Sequence, residues 1–498
     1  MSSPSSSQVD LSHHLSAEAK LRRPNPMKEI WRLARRKPNM VSLANGDPHS
    51  SLYPIKSMQF EVASVDEKDP VASWRTAGPS ARSQRLISTR DGPCALPVKT
   101  AMQYTTGAGL PETQCALTEL TKFYHNPLDH TVTLTLGNAD AVIKCFRLLG
   151  NPGDHFLADE FTFSALANAA LPQGIKWVPV RIDDGGLIPE ELERILSTWD
   201  EARGPKPHVL YTVPCGQNPT GSTLTVERRK RIYALAQRHD LIIIEDDPYY
   251  FLQYSAPASA APARTLAPSF LSLDVDGRVL RVDSFSKIIA PGMRLGWVTS
   301  SAFFHAHLVS YTDSSTQHPH AFGQVFVTEL LGPAGWTLPG FDAWVCGLRG
   351  EYQRRRDYFL ALFARTVAPT GLAEARAPAA GMFVWVRIHV ERHVRFRRER
   401  AIGRGRRTNC KQLMEELFEH CLDGGLVVMP GSVFVLSTDP EYDSPEGSIE
   451  DRMNYFRLTF AGTEEAMEQG LTIFGDALQE FFAEPASRLI KSEDVFDS

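Results

Sequence analysis

The segment Asp283-Ser284-Phe285-Ser286-Lys287 places a primary amine beside two hydroxyls, and the guanidinium of Arg294 follows shortly after. Such an amine can form an imine with an aldehyde, while hydroxyls and a guanidinium are donors that hold a phosphate. Upstream, the apolar run Leu241 to Ile244 ends in Glu245-Asp246-Asp247-Pro248-Tyr249-Tyr250. Carboxylates and phenols at a strand's carboxyl end project into the cleft where parallel sheets bind ligands. A third apolar run, His208 to Val213, leads into Pro214-Cys215-Gly216-Gln217-Asn218-Pro219-Thr220-Gly221, a loop that carries the Asn218 amide between stiffening residues. In a fourth, Thr131 to Leu136 is followed by Gly137-Asn138-Ala139 and a helical pattern to Leu149. Backbone N–H groups and a helix dipole then converge where an anion could sit.

Each segment has an ordinary explanation when taken alone: a surface lysine, carboxylates that cap a helix, a turn, one βα unit among several. Their co-occurrence fits a single cofactor, pyridoxal 5′-phosphate (PLP). It needs a lysine for its aldehyde (Lys287) and donors for its phosphate (Ser284, Ser286, Arg294 and the backbone at Asn138). It also needs a carboxylate for its ring nitrogen (Asp246) and donors for its phenolate oxygen (Tyr249, Asn218).

The elements that must position these residues alternate from about Gly107 to Gly332. Strands are predicted at Val132 to Leu136, His155 to Leu157, Trp177 to Val180, His208 to Val213, Leu241 to Ile244 and Val279 to Val282, with helices at Ala139 to Leu149 and Val226 to His239. Continuous apolar strands separated by helices indicate an α/β domain whose largely parallel sheet is covered on both faces. Beyond Trp344, a helix through Arg349 to Thr366 precedes short strands at Gly381 to Val386, Val427 to Pro430 and Tyr455 to Phe460, which reads as a smaller α+β domain. An N-terminal arm carries a short helix, Met27 to Arg36, and the turn Asn45-Gly46-Asp47-Pro48. The expected division is an arm at 1–48, a large domain at 49–345 and a small domain at 346–498. Part of the small domain could pack from the N-terminal region.

The 498 residues carry a formal charge of −5, which gives no general attraction for nucleic acid or anionic membrane. No run of about 18 apolar residues suggests a membrane span, and the N-terminus does not read as a secretory signal. The seven cysteines are scattered without Cys-x-x-Cys spacing, which fits reduced thiols in the cytoplasm; no metal site is expected. The arginine-rich stretch at about 387–409 reads as a solvated surface insertion, since it lacks the aromatic interleaving of a nucleic-acid contact.

Taken in order, Gln103-Tyr104, Ala108-Gly109-Leu110-Pro111-Glu112, Gly137-Asn138, Asn218-Pro219-Thr220-Gly221, Glu245 to Tyr250, Ser284-Phe285-Ser286-Lys287 and Arg294-Leu295-Gly296-Trp297 resemble the class I aminotransferases of PLP fold type I. Within these, the chain is similar to the aromatic and kynurenine/2-aminoadipate group, particularly its fungal members. The resemblance implies a seven-stranded, mainly parallel sheet in the large domain. It makes Lys287 the Schiff-base lysine and proton shuttle, and gives the phosphate to Ser284, Ser286, Arg294 and the backbone of Asn138 and Ala139. Phe163 would stack on the cofactor, Pro248 would lie against it, and Arg457 would grip the substrate carboxylate. Tyr104 would reach a neighbouring subunit's site, so a homodimer is expected.

Gly46 and Lys28 match positions near the substrate side chain. Relatives read Gly-Gly-Leu-Pro where this chain has Asn45-Gly46-Asp47-Pro48, and Lys28 stands where an arginine can meet an acidic substrate. The expected reaction is ping-pong transfer from an aromatic amino acid to a 2-oxo acid such as 2-oxoglutarate. The alternatives are a 2-aminoadipate or specialised aminotransferase, or β-elimination or decarboxylation on the same fold. A regulator with a DNA-binding module is not expected, because only about 40 residues precede the domain.

Overall fold

The computed structural model describes residues 9–35, 43–44, 46–255, 266–398, 406–443 and 447–483. Its centre is a seven-stranded sheet of β1 (Thr131–Thr135), β2 (His155–Asp159), β3 (Lys176–Val180), β4 (Val209–Thr212), β5 (Ile242–Asp246), β6 (Val279–Ser284) and β7 (Gly296–Ser300). Their spatial order is β1-β7-β6-β5-β4-β2-β3. All neighbours are parallel except at β7, which runs antiparallel to both β6 and β1. Residues of β2, β4, β5, β6 and β7 are buried on both faces, as continuous apolar runs covered by helices require.

Six of these strands lie where the apolar runs predict them. The seventh, β7, shows in the sequence only as the motif around Gly296 and Trp297; its five residues mix Gly, Thr and Ser with two large apolar side chains, so no apolar run marks it. Among the helices are α1 (Pro26–Arg35), α2 (Asn138–Leu149), α3 (Val226–Arg238), α4 (Thr337–Thr366) and α5 (Glu464–Ala483). Helix α4 is continuous for 30 residues and so runs through the division expected at 345/346.

A second, antiparallel sheet has β8 (Ala373–Ala375), β9 (Phe383–Ile388), β10 (Met429–Pro430) and β11 (Tyr455–Thr459), in the order β8-β9-β11-β10. One hydrophobic core joins the two sheets: it includes Ile244 and Val282 from the first, Val384 and Phe456 from the second, and Phe146 of α2 and Phe474 of α5. The loop that follows β4 and the segment that precedes β9 meet backbone to backbone at Gly216 and Gly381. A β-carbon at Gly216 would lie 2.5 Å from Gly381 Cα, and both glycines have positive φ, so neither position accommodates a side chain.

The arginine-rich stretch is only partly a surface insertion. Arg387 and Ile388 close β9, Val390 and His393 are 3% exposed, and Arg395 pairs with Glu416 at 2.6 Å. Val390 supplies the apolar anchor that the crowd of arginines masks in the sequence. Residues 399–405 and Asn45 lie outside the described residues.

Candidate active site

The carboxyl ends of β1, β4, β5 and β6 lead into the four segments that carry the predicted chemistry. After β6, Phe285 (0% exposed) and Ile288 (4%) anchor a turn that leaves Lys287 half-buried between them. Burial, and after it the charge of Arg457, lowers the Lys287 pKa from its ordinary value. Ser284 Oγ accepts from the Ser286 backbone N–H at 3.0 Å and donates to Ser286 Oγ at 2.8 Å, which sets both hydroxyls on one side of the turn.

After β1, Gly137 takes φ 99° and opens helix α2. A β-carbon there would lie 2.8 Å from Arg294 Nη2, so the glycine lets the guanidinium close over the helix start. Arg294 Nη2 donates to Leu136 O at 2.9 Å. The result is a cradle of helix N-terminus, guanidinium and two serine hydroxyls, the donor set a phosphate requires.

At the end of β5, Asp246 is 4% exposed. Tyr211 Oη, from β4, donates to its Oδ2 at 2.8 Å, and Asn138 Nδ2 donates to Oδ1. Burial nevertheless pushes the carboxyl up to about 6. Asn138 Oδ1 is buried without a hydrogen-bond partner. A carboxylate so held but poorly solvated gains from a cationic partner, and a protonated ring nitrogen would supply one. Beyond it, Pro248 lies in the turn that carries Tyr249, whose ring meets Phe383 edge-on at 5.9 Å; burial and the Asp246 charge raise the Tyr249 phenol above its ordinary range.

Register explains why Glu245 and Asp247 stand apart from this chemistry. Asp246 pairs with Val282 and Glu245 with Arg281, so alternate residues face opposite sides of the sheet. On the far side, fully buried Arg281 binds Asp283 at 2.8 Å, Asp247 at 3.0 Å and Glu245 at 3.2 Å.

From β11, Arg457 reaches the loop after β4, where its Nη1 donates to Asn218 Oδ1 at 2.7 Å. The guanidinium carbon lies 4.4 Å from the Phe383 ring centre and 4.8 Å from that of Phe434. These rings fix its plane from the sides.

The structure thus gathers Lys287, Ser284, Ser286, Arg294, Asn138, Asp246, Tyr249, Asn218 and Arg457. Ala139, exposed in the first turn of α2, belongs to the cradle, and Phe163 leaves a ring 37% exposed before the helix Ser164–Ala170. Three expected residues have other neighbours or none at their side chains in the single chain. Tyr104 is 53% exposed beside His318, and Gly46 is exposed, with open space for 4 Å around the point where a β-carbon would stand. Lys28 gives its amine to buried Asp313 at 2.7 Å. Tyr211, Phe383 and Phe434 join the site without a forewarning motif. A tyrosine inside the apolar strand Val209–Thr212 is a usable signal, because a buried phenol needs a partner; the two phenylalanines read as ordinary core.

Sheet, cradle and cleft amine define a PLP enzyme of fold type I. More particularly, the chain belongs to the family of class I and II aminotransferases, whose model matches residues 64–474. It is 50% identical to the L-tyrosine:2-oxoglutarate aminotransferase of Serpula lacrymans, over 96% of this chain and 98% of that one. The enzyme of the same name from Tapinella panuoides is also 50% identical, over 96% and 97%. Among solved structures, an aminotransferase from Candida albicans superposes with a TM-score of 0.82 at 31% identity, covering 96% of this chain and 99% of that one.

Proposed function

We propose that this aminotransferase takes its amino group from an aromatic L-amino acid, tyrosine foremost, and passes it to 2-oxoglutarate, with Lys287 as acid and base. The observation that carries the site assignment is the grouping of a pKa-lowered amine, Lys287, with the Arg457 guanidinium that donates to Asn218. The choice of donor and acceptor rests on the two relatives of that activity.

Bound PLP supplies an aldehyde that takes up amines and a protonated ring that withdraws electrons from the substrate Cα. The protein's residues do the rest. Lys287 Nζ, its pKa lowered by burial and the Arg457 charge, removes the Cα proton as general base and later returns it. Arg457 holds the substrate α-carboxylate with its remaining donors in a fork that lysine could not reproduce. Because Asn218 Oδ1 is committed to Arg457, its Nδ2 is left free to donate, and would hold the cofactor's phenolate oxygen together with Tyr249. Asp246 would pair with the ring nitrogen and keep it protonated. Ser284, Ser286, Arg294 and the backbone N–H groups of Asn138 and Ala139 would hold the phosphate, and Phe163 and Pro248 would contact the ring. The same groups serve both half-reactions, which gives ping-pong kinetics.

The reading includes a homodimer in which the exposed Tyr104 completes the neighbouring site. Seven cysteines without a disulfide support the cytoplasm as its compartment. Among the described residues no helix is long and apolar enough to cross a membrane. A 2-aminoadipate donor is less well supported, since Lys28, the cation it would need, is already paired with Asp313.

The test is a single half-reaction: PLP-loaded protein mixed with one amino acid and no oxo acid. Stoichiometric release of the aromatic 2-oxo acid, followed by turnover once 2-oxoglutarate is added, is expected. Pyruvate and ammonia formed without an acceptor would instead indicate elimination.

A further inference from the structure

On the side of the molecule where α3 turns into β5, the N-terminal segment brings two consecutive histidines to one carboxylate. His13 Nε2 lies 2.6 Å from Asp240 Oδ2, and His14 Nε2 lies 3.1 Å from Asp240 Oδ1. Asp240 adopts φ 53° at the α3–β5 turn, and the two imidazoles belong to the single 3₁₀ turn Ser12–His14. One donor atom from each of the three side chains falls within 4.8 Å of the others. None of these residues has a part in the aminotransferase site.

We propose that His13 Nε2, His14 Nε2 and the Asp240 carboxylate bind one divalent transition-metal ion of the zinc, cobalt or nickel class, which fastens the N-terminal segment to the α3–β5 turn. Two imidazole nitrogens with one carboxylate oxygen suit such ions rather than magnesium or calcium, which prefer all-oxygen sites. Around a tetrahedral ion with ligands at about 2.0–2.1 Å, donor atoms stand roughly 3.3 Å apart. The His14 separation of 3.1 Å lies just below that figure; the His13 separation of 2.6 Å, to the other carboxylate oxygen, must widen, and the His13 side chain is 56% exposed and free to adjust. The depression beside the cluster has a volume of about 330 Å³, room for water to complete the coordination.

The surroundings of His14 supply an independent reason. A metal-bound histidine characteristically hydrogen-bonds through its other ring nitrogen to an outer partner. His14 is 3% exposed, and its Nδ1 lies 3.1 Å from His208 Nδ1, whose own Nε2 lies 3.6 Å from Asp154 Oδ2. With a metal on His14 Nε2, the His14 proton sits on Nδ1 and donates to His208 Nδ1. The His208 proton then sits on Nε2, facing the Asp154 carboxylate. Every polar atom in the chain from Asp240 to Asp154 has a complementary neighbour in that arrangement. The nearest guanidinium, Arg278, stands 3.5 Å from Asp240 Oδ1, but it is engaged by Leu241 O at 2.9 Å and Asp276 at 2.9 Å.

The experiment uses untagged, PLP-loaded protein stripped with a chelator and titrated with Co²⁺. One Co²⁺ per chain, seen by its visible ligand-field bands and by direct metal analysis, is expected, with a rise in melting temperature. His13→Ala and Asp240→Asn should each abolish stoichiometric uptake while leaving transamination unchanged. His208→Ala should weaken binding by about 10–100-fold, as loss of an outer partner does. His13→Ala removes only a half-exposed ring, so the test stands even if Asp240→Asn folds poorly. No uptake, uptake that survives both substitutions, or the intense thiolate-to-metal absorption of a site at exposed Cys115 would overturn the proposal.

Discussion

Arg457 Nη1 donates to Asn218 Oδ1 at 2.7 Å, a bond between the second sheet and the loop that follows β4 of the first. It ties the group proposed to hold the substrate carboxylate to the group proposed to touch the cofactor oxygen. Arg457→Lys keeps the charge but loses the fork. We expect kcat/KM to fall by about 10²-fold or more, corresponding to roughly 3 kcal/mol, with KM rising for the amino acid and the oxo acid alike. Steady-state kinetics on both substrates decide it, and a loss confined to one substrate would count against a shared clamp.

Lys287→Ala should lower the rate of Cα deprotonation by about 10²–10⁴-fold, the ordinary contribution of a positioned acid–base group. Borohydride treatment of the wild-type holoenzyme should attach the cofactor's mass to the peptide containing Lys287. Attachment to any other lysine would remove Lys287 from the mechanism.

Asp246 gives a pH prediction for the cofactor-free enzyme. Its carboxyl has an ordinary value of 3.8 and is raised to about 6 by burial. Between those values the folded chain keeps a proton that the unfolded chain has released, so stability falls as pH rises through that window. Unfolding free energies from urea titrations at about pH 4 and about pH 6.5 should drop further for wild type than for Asp246→Asn, by on the order of 3 kcal/mol at most. Equal drops would mean that Asp246 does not titrate there.

Gly137→Ala should weaken PLP binding by about tenfold or more, near 1.4 kcal/mol. The added carbon meets Arg294 Nη2 at 2.8 Å and strains a backbone at φ 99°. Equilibrium dialysis of the cofactor measures it, and unchanged affinity would place the phosphate elsewhere.

If Tyr104 completes the neighbouring site, mixed dimers of Tyr104→Ala and Lys287→Ala chains should recover activity that neither variant shows alone. Each such dimer restores one of its two sites. Co-expression with two affinity tags isolates the hybrid, and a hybrid as inactive as its parents would argue that Tyr104 acts within its own chain or not at all.

Much of the fold and site is legible in the sequence because the chemistry sits at strand ends. Lys287, Asp246, Asn218 and Gly137 all follow strands whose apolar runs are plain, so locating the strands locates the residues. Strand β7 escapes such a reading because Gly296, Thr299 and Ser300 interrupt its apolar character, and burial there comes from neighbouring strands and helices. Phe383 and Phe434 cannot be told from core, since only the fold brings them against Arg457. Lys28 reads as a free cation because Asp313, 285 residues away along the chain, is visible as its partner only in three dimensions. The histidine pair stays silent for a similar reason: Asp240 lies 226 residues beyond His14.

The contact of Gly216 with Gly381 has a mechanical meaning. Two bare backbones in contact leave no side chain between them to compress or rotate, so the spacing of the two segments is fixed there by the main chain itself. Asn218 lies two residues from one side and Phe383 two residues from the other. Asn218, the proposed donor to the cofactor oxygen, and the Phe383 ring beside Arg457 are therefore anchored next to a point where the spacing is set by main chain alone.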